Sequence, residues 1–175
     1  MRPLILCVLI VLTTGCMSGY RATGPLFSEL VESVEEAPSD KSRITLFRTN
    51  EYSLYFGRAA SIKQNDNEIA QVPKGSFTYL DIEPGSQKIY AETWDYPGIC
   101  GYNVNAEIGK NYFFEVMPRK ESIGKGLLIS TGGLIGISIA ENMEVIDEKC
   151  RGLFAVVPVE KELAMEKIKL LRRAR

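Results

Sequence analysis

Between Arg43 and Met117 the chain reads in short β segments of alternating apolar and polar residues. Tyr102, Val104, Ala106 and Ile108 alternate with Asn103, Asn105 and Glu107; Gly109-Lys110-Asn111 interrupts, and Tyr112, Phe114 and Val116 resume the period. Ile44 and Leu46 begin an earlier segment, Leu54 to Phe56 form an apolar run, and Asn65-Asp66-Asn67 separates Ile62 from Ile69 as a reverse turn does. Ser76 to Trp94 reads as strand, turn, strand, with Glu83-Pro84-Gly85-Ser86 at its centre. Pro at the second and Gly at the third turn position suit a type II turn, which fits a tight two-residue hairpin poorly, so a longer corner is expected. About seven strands with no helical period among them predict an antiparallel β-sandwich, and the alternation from Tyr102 to Val116 predicts one buried and one wet face there.

Helical periodicity is confined to the two ends. Phe27, Leu30, Val31 and Val34 share one face, Glu29, Glu32, Glu35 and Glu36 the other, and Ala37-Pro38-Ser39-Asp40 closes the segment. A helix this short does not persist alone, so its apolar stripe is expected to dock on the domain. Leu153 to Val159 reads as a further strand with Pro158 near its end. Val159 to Leu171 then reads as a helix with Ala164, Ile168 and Leu171 on one face. Arg172, Arg173 and Arg175 lie where cations suit the helix dipole, or where they meet anionic headgroups. Gly124 to Ala140 is punctuated by Gly124, Gly126, Gly132, Gly133 and Gly136. It reads either as a segment that meets a bilayer or a second copy, or as a Gly-broken hairpin or helical turn over the sandwich.

The N-terminus changes the picture from fold to address. Arg2, the nine apolar residues Leu4 to Leu12 and Thr13-Thr14-Gly15-Cys16 have the layout of a secretory signal peptide. The apolar run is shorter than the roughly 20 residues a membrane-spanning helix needs. Gly15-Cys16 resembles a bacterial lipobox, although Thr13 stands where leucine is usual. The resemblance implies cleavage before Cys16 and lipidation of that cysteine, and Met17 after it, in place of aspartate, implies the periplasmic face of the outer membrane. With Cys7 in the signal and Cys16 lipidated, Cys100 and Cys150 remain as an even pair, read as a disulfide or as two buried thiols.

Composition narrows the chemistry. The formal charge of −1 gives no pull toward nucleic acid, and the absence of histidine removes the side chain most used for proton transfer and zinc binding. Ser122-Ile123-Gly124-Lys125 matches S-x-x-K without its partner motifs. The acidic run Asn65 to Glu68 lacks the spacing of a calcium loop. No catalytic, cofactor or metal residue is assigned. Trp94, Tyr96 and Tyr102, flanking Pro97-Gly98, form either core packing or an exposed aromatic surface for an envelope protein or a glycan.

Phe27-Ser28-Glu29, Ile44 to Arg48, Lys74-Gly75-Ser76-Phe77, Glu83-Pro84-Gly85, Cys100-Gly101, and Cys150 followed by Phe154 to Val159 together resemble an uncharacterised family of small bacterial lipoproteins. That family is classed as a domain of unknown function with a PEGA-related, immunoglobulin-like sandwich. The resemblance implies a fold and an address but no activity. The expected organisation is a signal peptide over 1–15, a lipidated tether with a short helix over 16–42, a β-sandwich over 43–159 with a Gly-rich insertion at 122–140, and a C-terminal helix over 160–175. The expected role is a non-enzymatic binding or structural module anchored to the membrane by its lipid. The alternative is a membrane-interacting or oligomeric envelope component that uses 124–140.

Overall fold

The period-two alternation folds as two stacked sheets. The structure, a computed structural model, describes residues 22–30, 34, 36–51, 57–119, 143–146 and 151–174. Among these, the strands are β1 (Ser42–Arg48), β2 (Ala60–Gln64), β3 (Asn67–Val72), β4 (Ser76–Ile82), β5 (Gly85–Thr93), β6 (Tyr96–Ala106), β7 (Asn111–Pro118), β8 (Met143–Val145), β9 (Phe154–Val159) and β10 (Arg172–Arg173). Helix α1 (Lys161–Ile168), a 3-10 turn over Phe27–Glu29 and the helical residue Val34 complete them. The first sheet has the order β10-β4-β1-β7-β9 and the second β3-β2-β5-β6-β8.

The turns behave as their residues dictate, but the pairing does not follow chain order. Asn65 and Asp66 both take positive φ, the requirement of a type I′ turn, and join β2 to β3 as a hairpin. Gly85 takes φ +107 at the Pro84-Gly85 corner, yet the strands on either side part company: β4 pairs with β1, and β5 with β2 and β6. The Ser76–Trp94 unit is therefore an arch between sheets rather than a paired hairpin. Gly109 marks a second such arch, from β6 in one sheet to β7 in the other. This crossing makes β1 and β7 parallel, and β10 joins β4 in parallel as well, so the first sheet is mixed while the second is antiparallel throughout.

Ile44, Leu46, Ile62, Ile89, Val104, Phe114 and Val156 from both inner faces fill the space between the sheets. The outer face of the first sheet is covered too. Phe47, Phe77 and Phe113 point outward into a layer made by Phe27, Val34, Ala164, Ile168 and Leu171. Phe27 meets Phe77 edge-on, with ring centroids 5.7 Å apart. Because of this third layer β1 and β7 are buried on both faces, and the expected wet face exists only on the second sheet.

The two ends of the chain fare differently. A 3-10 turn forms at Phe27–Glu29 and Val34 is helical, its N–H donating to the Leu30 carbonyl at 3.1 Å; Phe27 and Val34 are buried and Leu30 half-buried in the outer layer, so the apolar stripe docks. α1 stops at Ile168, and Arg172 and Arg173 form a strand instead of extending the helix. Ala174 N–H donates to the Phe77 carbonyl, and the Arg173 guanidinium lies 4.5 Å from the Tyr79 ring centroid. Pairing with the edge of β4 gives the Arg172 and Ala174 N–H groups acceptors in the Gly75 and Phe77 carbonyls, and Arg173 N–H bonds the Pro25 carbonyl on the other side. Pro158 sits within β9, which is an edge strand and tolerates it. Leu54 to Phe56 lie outside the described residues.

Candidate functional site

The β5–β6 hairpin carries the most exposed aromatic side chain of the described residues. Thr93 pairs with Tyr96, and an irregularity in register between Ala91 and Thr93 precedes the turn residues Trp94 and Asp95. Trp94, at the tip of the hairpin, is 96 % exposed. Asp95 is held in place by Arg58, whose Nη1 and Nη2 reach its two carboxylate oxygens at 2.7 and 2.6 Å. This bidentate bond keeps the Asp95 carboxyl below the usual carboxylate range.

Beside Trp94 the outer face of the second sheet forms an open groove of about 480 Å³. Its walls are cross-strand pairs: Ser61 faces Gln71, and Lys63 faces Glu68 across the β2–β3 hairpin. Glu68 accepts from Ser61 Oγ and from Gln71 Nε2, both at 2.6 Å, and these bonds lower its pKa. Lys63 is ion-paired with Glu92 of β5, and the hydrogen bond to that carboxylate raises the Lys63 pKa. Hydrogen bonding thus holds Lys63, Glu68 and Asp95 in their ionised forms near neutral pH. The groove is a polar, self-bonded surface with an indole at one end, and it offers hydrogen-bond donors and acceptors side by side.

The three aromatic residues singled out from sequence are not one cluster. Trp94 is fully exposed and Tyr96 is 44 % exposed, whereas Tyr102 lies opposite Ile89, packs against the core, and has its phenol pKa raised by burial. The strand turns Tyr102 inward with Val104 and Ala106, as its own alternation requires. It does not belong to the contact surface.

Cys100 is buried and disulfide-bonded. Cys7, Cys16 and Cys150 lie outside the described residues, as do the S-x-x-K match at Ser122–Lys125 and the Gly-rich insertion 122–140. The acidic turn residue Asp66 accepts from the Tyr90 hydroxyl at 2.8 Å and from Lys88 at 3.3 Å, which accounts for it structurally. Among the described residues no group of three or more His, Cys, Asp or Glu side chains is arranged to hold a metal. None of the described helices is long and apolar enough to cross a membrane.

Sequence reasoning missed Arg58, Lys63, Gln71 and Glu92, and weighed Glu68 only as part of a calcium loop. Part of the signal was present: a two-residue turn at Asn65-Asp66 places Lys63 beside Glu68, but the register then shifts by one residue between Ile62 and Lys63, and that shift is what sets Ser61 opposite Gln71. Nothing local brings Glu92 or Asp95 to the same face. No protein-family model, curated protein or solved structure matches the chain.

Proposed function

We propose that the chain is a non-enzymatic binding module of the cell envelope, lipid-anchored through Cys16 at the periplasmic face of the outer membrane, with Trp94 and its groove as contact surface. The observation that carries this reading is the 96 % exposure of Trp94 beside a preorganised polar groove. An indole left wholly in water forgoes the burial that large apolar side chains otherwise gain, and buried-on-binding aromatics are typical interface anchors.

The placement of the two ends supports the same reading. The N-terminal residues dock on the outer face of the first sheet, and the groove is on the outer face of the second. Six residues run from Cys16 to Ala22, a reach of at most about 20 Å. A lipid at Cys16 therefore holds the first-sheet side near the bilayer and leaves the groove on the side turned toward the periplasm.

The test is site-specific photo-cross-linking in intact cells. A photoreactive residue in place of Trp94 is expected to capture a partner, while one in place of Ile108, 62 % exposed beyond the other end of β6, captures none. Equal capture at both positions, or none at either, overturns the contact surface. Recovery of the Cys16→Ser protein in the same membrane fraction as the natural chain overturns the anchor.

A further inference from the structure

Resting on that reading, we infer that the groove beside Trp94 binds a neutral oligosaccharide, stacking one sugar ring on the indole and bonding its hydroxyls to the Ser61–Glu68–Gln71 network. Four features of the groove select this ligand class. Its charged groups are Arg58 and Lys63 against Glu68, Glu92 and Asp95, two cations against three carboxylates, so it repels anions such as phosphate. The cations are also engaged already, Arg58 by Asp95 and Lys63 by Glu92.

A cationic ligand fares little better. Each of the three carboxylates is bonded to a partner within the groove, and a cation would have to displace those bonds. Apolar ligands are disfavoured as well, because Trp94 is the one large apolar side chain of the lining.

A saccharide matches what remains. Every hydroxyl both donates and accepts, so it can join a network in which amide, hydroxyl, guanidinium and carboxylate groups alternate without breaking the ion pairs. The C–H face of a pyranose is the apolar surface that an exposed indole covers. Hydrogen bonds within the groove hold the polar groups in position before the ligand arrives, which lowers the ordering cost of binding. The groove is open, of about 480 Å³, and continuous with the Trp94 turn, so it suits a chain of sugars rather than an enclosed single ring.

Trp94 is the only tryptophan in the chain, so its emission reports this site and no other. The experiment titrates the full protein, purified in mild detergent, with chitotetraose and with maltotetraose at millimolar concentrations, and in parallel with inorganic phosphate and with tetralysine. A saturable blue shift of the emission is expected with at least one oligosaccharide and with neither phosphate nor tetralysine. By calorimetry Trp94→Ala and Glu68→Gln are expected to weaken that binding at least about tenfold while leaving the unfolding midpoint of Trp94→Ala unchanged. No response to either oligosaccharide, or a response to phosphate or tetralysine instead, overturns the inference. If the sugars fail while a photoreactive group at position 94 still captures a protein in cells, the ligand class falls and the envelope-module reading stands.

Discussion

Arg48 Nη1 donates to the carbonyl oxygen of Arg58 at 2.5 Å, joining the sandwich core to the groove. Arg48 ends β1 on the same face as Ile44 and Leu46 and is wholly buried, its guanidinium 4.6 Å from the ring centroid of Phe154. Burial pulls its pKa down to about 10, so it stays charged at neutral pH. Arg58 in turn fixes Asp95 next to Trp94. Core and rim are therefore one bonded path.

Truncating that path from its buried end should cost stability. Arg48→Ala removes a long stem from a close-packed interior and is expected to lower the unfolding free energy by about 3 kcal/mol. Urea denaturation measures it. A loss under about 1 kcal/mol means that the stem does not support the core.

Glu115 on β7 is 2 % exposed and meets Lys167 Nζ of α1 at 2.6 Å, which ties the covering helix to the first sheet. Lys167→Met leaves the carboxylate buried without its lysine and is expected to cost about 3 kcal/mol. The double variant Glu115→Gln/Lys167→Met should recover part of that loss. Strict additivity of the two single changes in a double-mutant cycle rejects the coupling.

At Gly101 an added Cβ would lie 2.0 Å from the Ile89 carbonyl oxygen and 2.5 Å from the Tyr90 Cα, both of them backbone atoms of the neighbouring strand. Gly101→Ala must push β5 and β6 apart. A loss of about 3 kcal/mol or more, or failure to fold, is expected, and a melting temperature equal to that of the natural chain contradicts this close approach.

Tyr90 and Asp66 predict opposite limbs of the stability–pH profile. Burial, then the bond to Asp66, pushes the Tyr90 phenol up to about 12. The folded state thus holds this proton more tightly, and the associated stability is present below about pH 10 and lost as pH rises toward 12. Asp66 is lowered, first by the Tyr90 hydroxyl and then by Lys88. Its contribution is present above the ordinary carboxylate pKa and lost as pH falls through the folded value. Tyr90→Phe should flatten the alkaline limb and reduce the acid one; unfolding scans across pH that superimpose for both proteins refute the assignment.

Cys100 is disulfide-bonded, and the partner we propose for it is Cys150. Closing a loop of about 50 residues contributes roughly 3 to 4 kcal/mol in the chain-entropy model. Reduction should lower the denaturation midpoint accordingly, and a non-reducing digest should contain the Cys100–Cys150 peptide. A digest that links Cys100 to another cysteine corrects the pairing.

Local chemistry alone determined the alternation and the turns of the strands between Arg43 and Met117, but not β8 or β10, which form only where another strand offers an edge. Alternation at Tyr102, Val104 and Ala106, positive φ tolerated at Asn65 and Asp66, and the Pro84-Gly85 corner depend on neighbouring residues only, and each is realised. The tertiary structure decided which strands meet. Pairing β1 with β7 in parallel, covering the first sheet with α1, and placing Arg58 against Asp95, 37 positions away, follow from where remote apolar faces find burial. The inward turn of Tyr102 was already implied by its period, whereas the polar groove beside the exposed Trp94 depends on β2 and β3 lying next to β5 in the sheet. Side-chain direction is a property of a strand, but a surface is a property of the strands beside it, and their order comes from the fold as a whole.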